Sequence, residues 1–318
     1  MKKFFLVISI LLPTLFLSGC SPTRNSTSES ENPSQSKPIN KSNIEYLNKT
    51  YKVKFPTSKI ITASFESMED AVALNIHPIG GVTVSGEMPS YLKNKLGNNI
   101  INIGDKFGPN VESVASLKPD IILGSTKFDD SVTNNLRKIA PTINVSHKSN
   151  DWDKNLLLMG TLSGHIEKAK NLISSYENDV KFFKKDNPQI NDKKIMIIRI
   201  REGELCLYGE DFYYNPMLYK DLSFSMPKEL STVKGQTTIS KEQLSKIESD
   251  IILIQFMTSE NKAFPNALND LKNDTIWKNI PAVANHKVFY NVVDGGYQGG
   301  TYLSKEVMLR ALNEKVFK

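Results

Sequence analysis

Residues 152–185 read WDKNLLLMGTLSGHIEKAKNLISSYENDVKFFKK, a stretch without proline. Apolar side chains recur along it at the spacing of one helix face, which predicts a long amphipathic helix. The recurring residues are Leu156, Met159, Leu162, Ile166, Ala169, Leu172, Ile173, Tyr176 and Val180. A bend is expected near Gly160 or Gly164. Because this stretch lies midway along the part of the chain that can fold, we expect residues 151–186 to form a helix that connects two lobes.

The sequence on both sides of this helix alternates β-branched apolar runs with amphipathic stretches. That pattern is typical of α/β layers built on mainly parallel strands. In the first lobe, residues 44–150, strands are predicted at 60–65, 82–84, 100–103, 120–124 and 142–146. In the second lobe, residues 187–318, they are predicted at 194–200, 205–208, 250–255 and 288–292.

A weak internal repeat supports the division into two lobes. The segment NVESVASLKPDIILG at 110–124 aligns with SKEQLSKIESDIILI at 240–254. In each copy an acidic residue, Glu112 or Glu242, opens a short predicted helix that leads into a buried strand. The alternative explanation is that any α/β protein repeats such a helix-to-strand pattern.

The first residues carry an export signal. Lys2 and Lys3 precede an apolar run at 4–17, which is too short to span a bilayer. The run ends in LSGC at 17–20, which resembles the lipobox of bacterial lipoproteins and implies cleavage before Cys20 and lipidation of its sulfur. We therefore expect a lipoprotein signal peptide at 1–19. An ordinary secretory signal with a chance cysteine is the alternative.

A polar segment follows Cys20 and contains no aliphatic residue before Ile39. Such a segment cannot bury enough apolar surface to fold, so residues 20–43 are predicted to be a lipidated flexible tether. A lipid anchor leaves everything downstream of it in water. The expected location is the outer face of a membrane.

Composition and motifs disfavour several classes of function. The net charge of +6 is mild for 318 residues, and lysines are spread along the chain, so a nucleic-acid partner is not expected. No P-loop, Gly-x-Ser-x-Gly, His-Glu-x-x-His or paired-cysteine motif is present. The four histidines are far apart, and Cys206 has no partner once Cys20 is acylated. These absences count against a lipid-anchored hydrolase, the alternative from a different class.

Cationic residues stand at the carboxyl ends of predicted strands, where open α/β sheets bind ligands. Lys106 and Lys127 belong to the first lobe, whereas Arg199 and Arg201 end a strand of the second lobe and share one face of it. His147 closes another predicted strand and is a further ligand-binding candidate. For a lone lysine, a solvated loop charge is the common alternative.

At these residues the chain resembles the siderophore-binding lipoproteins of iron ABC importers, and most closely the Feu-type receptors for ferric bacillibactin and enterobactin. The resemblance covers nearly the whole folded part of the chain. It is carried by the segments at 66–70, 104–110, 125–128, 198–201, 276–277 and 298–301.

The resemblance implies a class III periplasmic-binding-protein fold, with two Rossmann-like lobes joined by a single long helix. It also implies three cations that bind a trianionic ferric tris-catecholate, which fall on Lys106, Lys127 and Arg201. Supporting ligand-binding residues at matching positions are Arg199, Gln236, Gln255 and Gln298. The siderophore itself holds the iron, so no metal-ligating residue, cofactor or catalytic residue is expected.

The same resemblance assigns Glu112 and Glu242 to docking, because receptors of this family carry one acidic residue on each lobe that pairs with arginines of the ABC permease dimer. Capping of a helix by a carboxylate in its first turn is the alternative role. The resemblance to receptors of Gram-positive bacteria implies the extracellular face of a cell membrane of that type. A monomer that is bound to this membrane only through its lipid is expected.

One position departs from the family pattern, since Glu87 stands in SGEMP at 85–89 where a lysine is expected. An acidic group near the cleft puts the detailed specificity in question. The alternative ligands are another ferric siderophore, such as a mixed catecholate-carboxylate, or haem.

Overall fold

The computed structural model describes residues 41–97 and 99–318. The predicted signal peptide at 1–19, the lipidation site Cys20 and most of the predicted tether lie outside the described residues. The first described strand, β1, spans Lys41–Tyr46. Regular structure therefore begins two residues before the end of the predicted tether at residue 43, because Lys41 and Asn43 already pair with a neighbouring strand, β2 (Lys49–Phe55).

Strands β1 and β2 form a hairpin that packs Ile44 and Val53 into the core. No strand is predicted before residue 60, and the reason lies in the turn. Leu47 and Asn48 both adopt positive φ angles, of 47° and 61°, without the Asn-Gly or Asp-Gly pair that marks such a turn in a sequence.

The N-terminal lobe is a six-stranded sheet with helices against it. Its strands run in the order β6-β5-β4-β3-β7-β8, and all neighbours are parallel except β5 and β6. Its elements are β3 (Ile60–Thr62), α1 (Phe65–Leu74), β4 (Gly80–Thr83), α2 (Ser90–Leu96), β5 (Ile101–Asp105), β6 (Gly108–Pro109), α3 (Val111–Ser116), β7 (Ile121–Ser125), α4 (Asp130–Arg137) and β8 (Thr142–Val145).

Two helices connect the lobes: α5 (Trp152–Ser163) and α6 (Ile166–Asp186). The connection is helical as predicted, but it is interrupted, so the expectation of one continuous helix is corrected. Gly164 ends α5 in the left-handed conformation with φ of 79°, which glycine adopts without the strain a side chain would add. No helix in the described part of the chain is both long and apolar enough to cross a bilayer.

The C-terminal lobe is a five-stranded sheet in the order β11-β10-β9-β12-β13. The last three strands of that order are parallel, whereas β10 is antiparallel to both of its neighbours. Its elements are β9 (Ile195–Arg201), β10 (Glu204–Tyr208), β11 (Gln236–Ile239), α7 (Lys241–Leu244), β12 (Ile251–Phe256), α8 (Ala267–Asn273), α9 (Thr275–Lys278), α10 (Pro281–Ala284), β13 (Val288–Tyr290) and α11 (Tyr302–Ala311).

Both sheets belong to one compact unit and share a core. One cluster of buried side chains contains Ile61 and Ile103 from the first sheet and Ile197 and Leu253 from the second. In each sheet the order in which the chain adds strands reverses at the centre. This switch lies between β3 and β7 in the first lobe and between β9 and β12 in the second. Such switch points create the crevices in which α/β proteins bind ligands. The α/β fold class is thus confirmed.

Helix α11 comes last in the chain but packs on α1, α5 and α6, so it joins the C-terminal lobe to the rest. Lys305 on α11 is only 1% exposed, and its Nζ donates to Asp221 Oδ2 at 2.7 Å. The same ammonium lies 4.9 Å from the centre of the Trp152 ring and 5.4 Å from that of Tyr176. A buried charge is tolerated here because it has both an anion and two aromatic faces beside it.

Glu69 on α1 makes a second connection between the lobes. Its side chain is completely buried, and it accepts hydrogen bonds from the hydroxyl groups of Tyr91, Thr301 and Ser304. The backbone N–H of Gln298 donates to the same carboxylate at 2.9 Å. Burial raises the pKa of Glu69, and these donors lower it, with burial prevailing. The carboxylate thereby fixes the loop before α11 against the N-terminal lobe.

Replacing Glu69 by Ala should lower the free energy of unfolding by about 1–3 kcal/mol, because it leaves several buried donors without an acceptor. Urea unfolding followed by circular dichroism measures this change. Glu314→Ala, at an exposed position near the C-terminus, is the matched control and should change stability by less than about 0.5 kcal/mol. Equal effects of the two substitutions would contradict this account.

Candidate functional site

A cavity of about 290 Å³ lies between the lobes, where β3, β7 and β9 end. Seven of the predicted ligand-binding residues line it together. They are Lys106, Lys127, His147, Arg199, Arg201, Gln236 and Gln298. The predictions came from residues far apart in the sequence, and the parallel sheets bring their strand ends to one cleft.

Three of the cations converge on one carboxylate, that of Glu260. Lys106 comes from the N-terminal lobe, and its Nζ lies 3.0 Å from Glu260 Oε1. Arg199 donates from Nε to Glu260 Oε2 at 3.0 Å, with its Nη2 at 2.9 Å from the same oxygen. Arg201 Nε lies 3.5 Å from that oxygen. Because Glu260 belongs to the 3₁₀ turn Thr258–Asn261 of the C-terminal lobe, its pair with Lys106 crosses the cleft.

This cluster is mostly shielded from water, which strengthens its electrostatics. The side chain of Glu260 is 6% exposed, and those of Lys106 and Arg199 are 13% and 5% exposed. Burial raises the pKa of Glu260, but Arg199, Lys106 and Arg201 outweigh burial and lower that pKa to about 2. Burial lowers the pKa of Lys106, which the attraction of Glu260 partly offsets. Glu260 is therefore ionised at neutral pH.

Lys127 also has a carboxylate partner. Its Nζ donates to Glu66 Oε1 at 2.8 Å; the Lys127 side chain is 40% exposed, whereas that of Glu66 is 8% exposed. Burial raises the pKa of Glu66, but the contact with Lys127 and a backbone hydrogen bond together lower it below the ordinary value, so this carboxylate is ionised. Lys127 thus presents a partly solvated charge at the mouth of the cavity.

His147 is held at the cavity wall by two contacts. Its Nδ1 lies 2.7 Å from Thr126 Oγ1, and its ring stacks on Phe212 with 5.4 Å between ring centres. Burial and the neighbouring Lys127 lower the pKa of His147. The ring is therefore mainly neutral at pH 7 and can offer a hydrogen bond rather than a charge.

The predicted glutamines fall into different surroundings. Gln236 accepts from Arg201 Nη1 at 2.6 Å, and Gln298 donates from Nε2 to the Gly296 carbonyl at 2.7 Å. Gln255 differs from the other two, since its side chain is completely buried on β12 and does not line the cavity; a role in ligand binding stays a prediction for this residue. Although Gln255 pairs in register with Arg199, β12 is a central strand whose side chains are covered on both faces.

Aromatic side chains form much of the remaining wall. They are Phe65, Phe107, Tyr208, Phe212 and Tyr213. Arg199 lies 5.3 Å from the centre of the Tyr213 ring, and Lys106 lies 5.2 Å from that of Phe107, distances at which a cation is attracted to a ring face. Phe107 is 59% exposed, so a ligand at the cavity mouth would meet it directly.

Glu87 lies outside this cavity. Its Oε1 accepts from Lys262 Nζ of the other lobe at 3.1 Å, and the two side chains are 66% and 50% exposed. This pair crosses the cleft in water, where such contacts contribute little to stability. The acidic departure from the family pattern is therefore neutralised at the rim and does not enter the cavity.

Glu112 and Glu242 are exposed in the first turns of α3 and α7. Each helix has a side-chain cap of its own, Asn110 in the first lobe and Ser240 in the second. The pKa of Glu242 is lowered by hydrogen bonds from its own backbone N–H and from the Ser240 side chain, so this glutamate also takes part in capping α7. Docking to a permease stays a prediction for both residues. Neither residue lines the cavity.

The principal residues missed by the sequence predictions are Glu260, Glu66 and the aromatic wall. Glu66 belongs to a segment that carries the family resemblance, but its partner Lys127 lies 61 residues further along the chain, after the neighbouring strand β7. Glu260 follows β12 in an ordinary polar stretch, and no sequence signal marks it. Within residues 41–97 and 99–318, no group of three or more His, Cys, Asp or Glu side chains is placed to hold a metal ion.

Comparison with known proteins agrees with this architecture. A family model described as periplasmic binding protein matches residues 60–291. The iron-uptake system-binding protein of Bacillus subtilis (strain 168) is 41% identical over 318 residues, covering 99% of both chains. The probable siderophore-binding lipoprotein YfiY of the same organism is 25% identical, covering 99% of this chain and 100% of its own.

Among solved structures, the triscatecholate siderophore binding protein FeuA from Bacillus subtilis, in complex with ferri-bacillibactin, superposes with a TM-score of 0.83. It is 43% identical in sequence, and the match covers 87% of this chain and 98% of that one. The likeness thus extends across both lobes.

Glu260→Gln should change how stability depends on pH. The folded-state pKa of Glu260, about 2, lies below the ordinary value of 4.5, so its ion pairs stabilise the protein above about pH 4.5 and are lost as the pH falls through 2. Urea unfolding between pH 7 and pH 2 should show the wild type more stable than the variant at pH 7 and the two converging toward pH 2.

Glu87→Gln is the matched control, because it removes another carboxylate that crosses the cleft but is exposed. Its unfolding free energy should stay within about 0.5 kcal/mol of the wild type throughout. A constant gap between wild type and Glu260→Gln down to pH 2 would show that ionisation of Glu260 does not stabilise the fold.

Proposed function

This chain belongs to the periplasmic binding protein family, and we propose that it is an extracellular, lipid-anchored receptor for a ferric catecholate siderophore of the bacillibactin and enterobactin type. It delivers this ligand to an ABC-type permease for iron uptake. The observation that carries the proposal is the cavity between the lobes, in which four cations and an aromatic wall face one space. A relative of 43% identity is a triscatecholate siderophore binding protein.

Charge supports this ligand class. Four cations line the cavity with two carboxylates, Glu66 and Glu260, which leaves a net charge of +2 with His147 neutral. A ferric tris-catecholate is trianionic, since all six catechol oxygens are deprotonated around Fe³⁺. A desolvated trianion needs cationic partners, and Lys and Arg supply them without entering the coordination shell of the iron.

The shape of the catechol rings also supports this ligand class. Catechol rings are flat and polarisable, and rings such as Tyr213 and Phe107 offer them apolar faces beside the cations. The residues that we assign to the ligand are Lys106, Lys127, Arg199, Arg201, Gln236, Gln298 and His147. Neutral hydroxamate complexes would gain much less from this wall, because they carry no charge for the cations to neutralise. The protein performs no catalysis in this role and needs no cofactor of its own.

Delivery requires a contact with the permease and a position close to it. Glu112 and Glu242 are exposed, one on each lobe, and suit paired contacts with cationic residues of a permease dimer. Lipidation at Cys20 would keep a monomeric receptor at the outer face of the membrane. The relative YfiY is named a lipoprotein, which supports this anchoring.

Fluorescence titration tests the ligand class, because Tyr208 and Tyr213 lie in the cavity wall. Ferric bacillibactin and ferric enterobactin should bind near or below micromolar concentration, and failure of both would refute the assignment. The alternative ligands are distinguished in the same series. A Soret band in the purified protein would reveal haem, and tighter binding of a mixed catecholate-carboxylate would reassign the substrate.

Charge reversal of Lys106, Lys127 or Arg201 to Glu should weaken ferric tris-catecholate binding by well over tenfold, because each variant places repulsion beside a trianion in a partly dry cleft. The titration above measures the change. Lys168→Glu, an exposed position on α6, is the matched control and should leave affinity within twofold. Unchanged affinity in all three cavity variants, with circular dichroism showing them folded, would refute the site.

The double variant Glu112→Ala, Glu242→Ala should bind ferric siderophore as the wild type does but support less iron uptake by cells. Uptake of ⁵⁵Fe-labelled siderophore measures delivery, and titration of the purified variant measures binding. Glu167→Ala with Glu314→Ala removes two exposed carboxylates elsewhere and should leave both readouts unchanged. If the docking variant loses binding, the two glutamates act in folding instead.

A further inference from the structure

Glu260 contacts the same cations that we assign to the anionic ligand. Its carboxylate contacts Lys106, Arg199 and Arg201 at distances between 2.9 and 3.5 Å. It also separates two spaces in the cleft. The cavity of about 290 Å³ and a neighbouring one of about 210 Å³ share Lys106, Arg201 and Glu260 in their walls.

The free protein needs such an anion. Three cations held within reach of one another in a mostly buried cluster repel each other, and an ionised carboxylate among them relieves that repulsion. An arriving ligand anion must therefore compete with Glu260 for the same N–H donors. When the ligand leaves, the carboxylate can take the donors back.

We infer that Glu260 is a built-in competitor, which occupies the ligand's charge site in the free protein and limits the affinity of the cleft for anionic complexes. This inference rests on the proposed function and adds a reason for reversible binding. A receptor has to release its ligand to a permease. An internal anion stabilises the cations when no ligand is present, so it lowers the free energy that ligand binding gains.

Other carboxylates at the cleft are not placed for this role. Glu66 contacts Lys127, whose side chain is 40% exposed and therefore screened by water. Glu87 pairs with Lys262 in an exposed position outside the cavity. Within the described residues, only Glu260 joins cations from both lobes.

Glu260→Gln tests the inference, because glutamine keeps the size of the side chain and removes its charge. Ferric enterobactin, a trianion, should bind this variant at least tenfold more tightly than the wild type, mainly through slower dissociation measured by stopped-flow fluorescence. A neutral ferric tris-hydroxamate should change its weaker binding by less than twofold. Glu87→Gln is the matched control, and both ligands should bind it as they bind the wild type.

The possible outcomes distinguish failure of the competitor role from failure of the proposed function. If the wild type binds ferric enterobactin and Glu260→Gln binds it equally or more weakly, the competitor role is overturned and the proposed function stands. If neither protein binds it, both are overturned. Should Glu260→Gln fail to fold, Glu260→Asp keeps the charge but shortens the side chain away from Lys106. Its affinity should then exceed that of the wild type, and a lower affinity would overturn the inference.

Discussion

The buried carboxylate of Glu69 is the interaction on which the arrangement of the lobes depends. It belongs to α1 of the N-terminal lobe, yet most of its donors come from the loop before α11 and from the first turn of that helix. A buried acceptor that loses such donors costs more than the average hydrogen bond, because donors and acceptor are all removed from water. Since Gln298 lies in this loop, the same carboxylate positions one wall of the cavity.

The charged side chains of the cavity are also paired with partners inside the protein. Lys127 is paired with Glu66, and the cluster of Lys106, Arg199 and Arg201 is paired with Glu260. The cleft is therefore cationic in net charge without containing an uncompensated buried charge. This balance lets one site remain stable while free and still attract a strongly anionic complex. In the role that we propose for Glu260, recognition depends on how well a ligand replaces this internal carboxylate.

Much of the fold was predictable because it rests on local patterns. The strand that ends in Arg199 and Arg201 was recognisable from its β-branched run, and the carboxyl ends of parallel strands meet at one crevice whatever the loops do. The interruption at Gly164 fell at a glycine where a bend was expected. By contrast, the hairpin turn at Leu47 and Asn48 carries no glycine, so its left-handed conformation has no signature in the sequence.

By itself, the sequence determined the α/β class, the helical connection and the set of cations that face the cleft. The spacing of apolar residues, the ends of strands and the charges of side chains can all be identified from neighbouring residues. Only the tertiary structure decided which carboxylates meet those cations. Glu260 lies 154 residues from Lys106, and Gln255 is excluded from the cavity although a neighbour in register enters it. Such pairings depend on how two lobes pack, and that packing brings together residues whose separation along the chain leaves no local pattern.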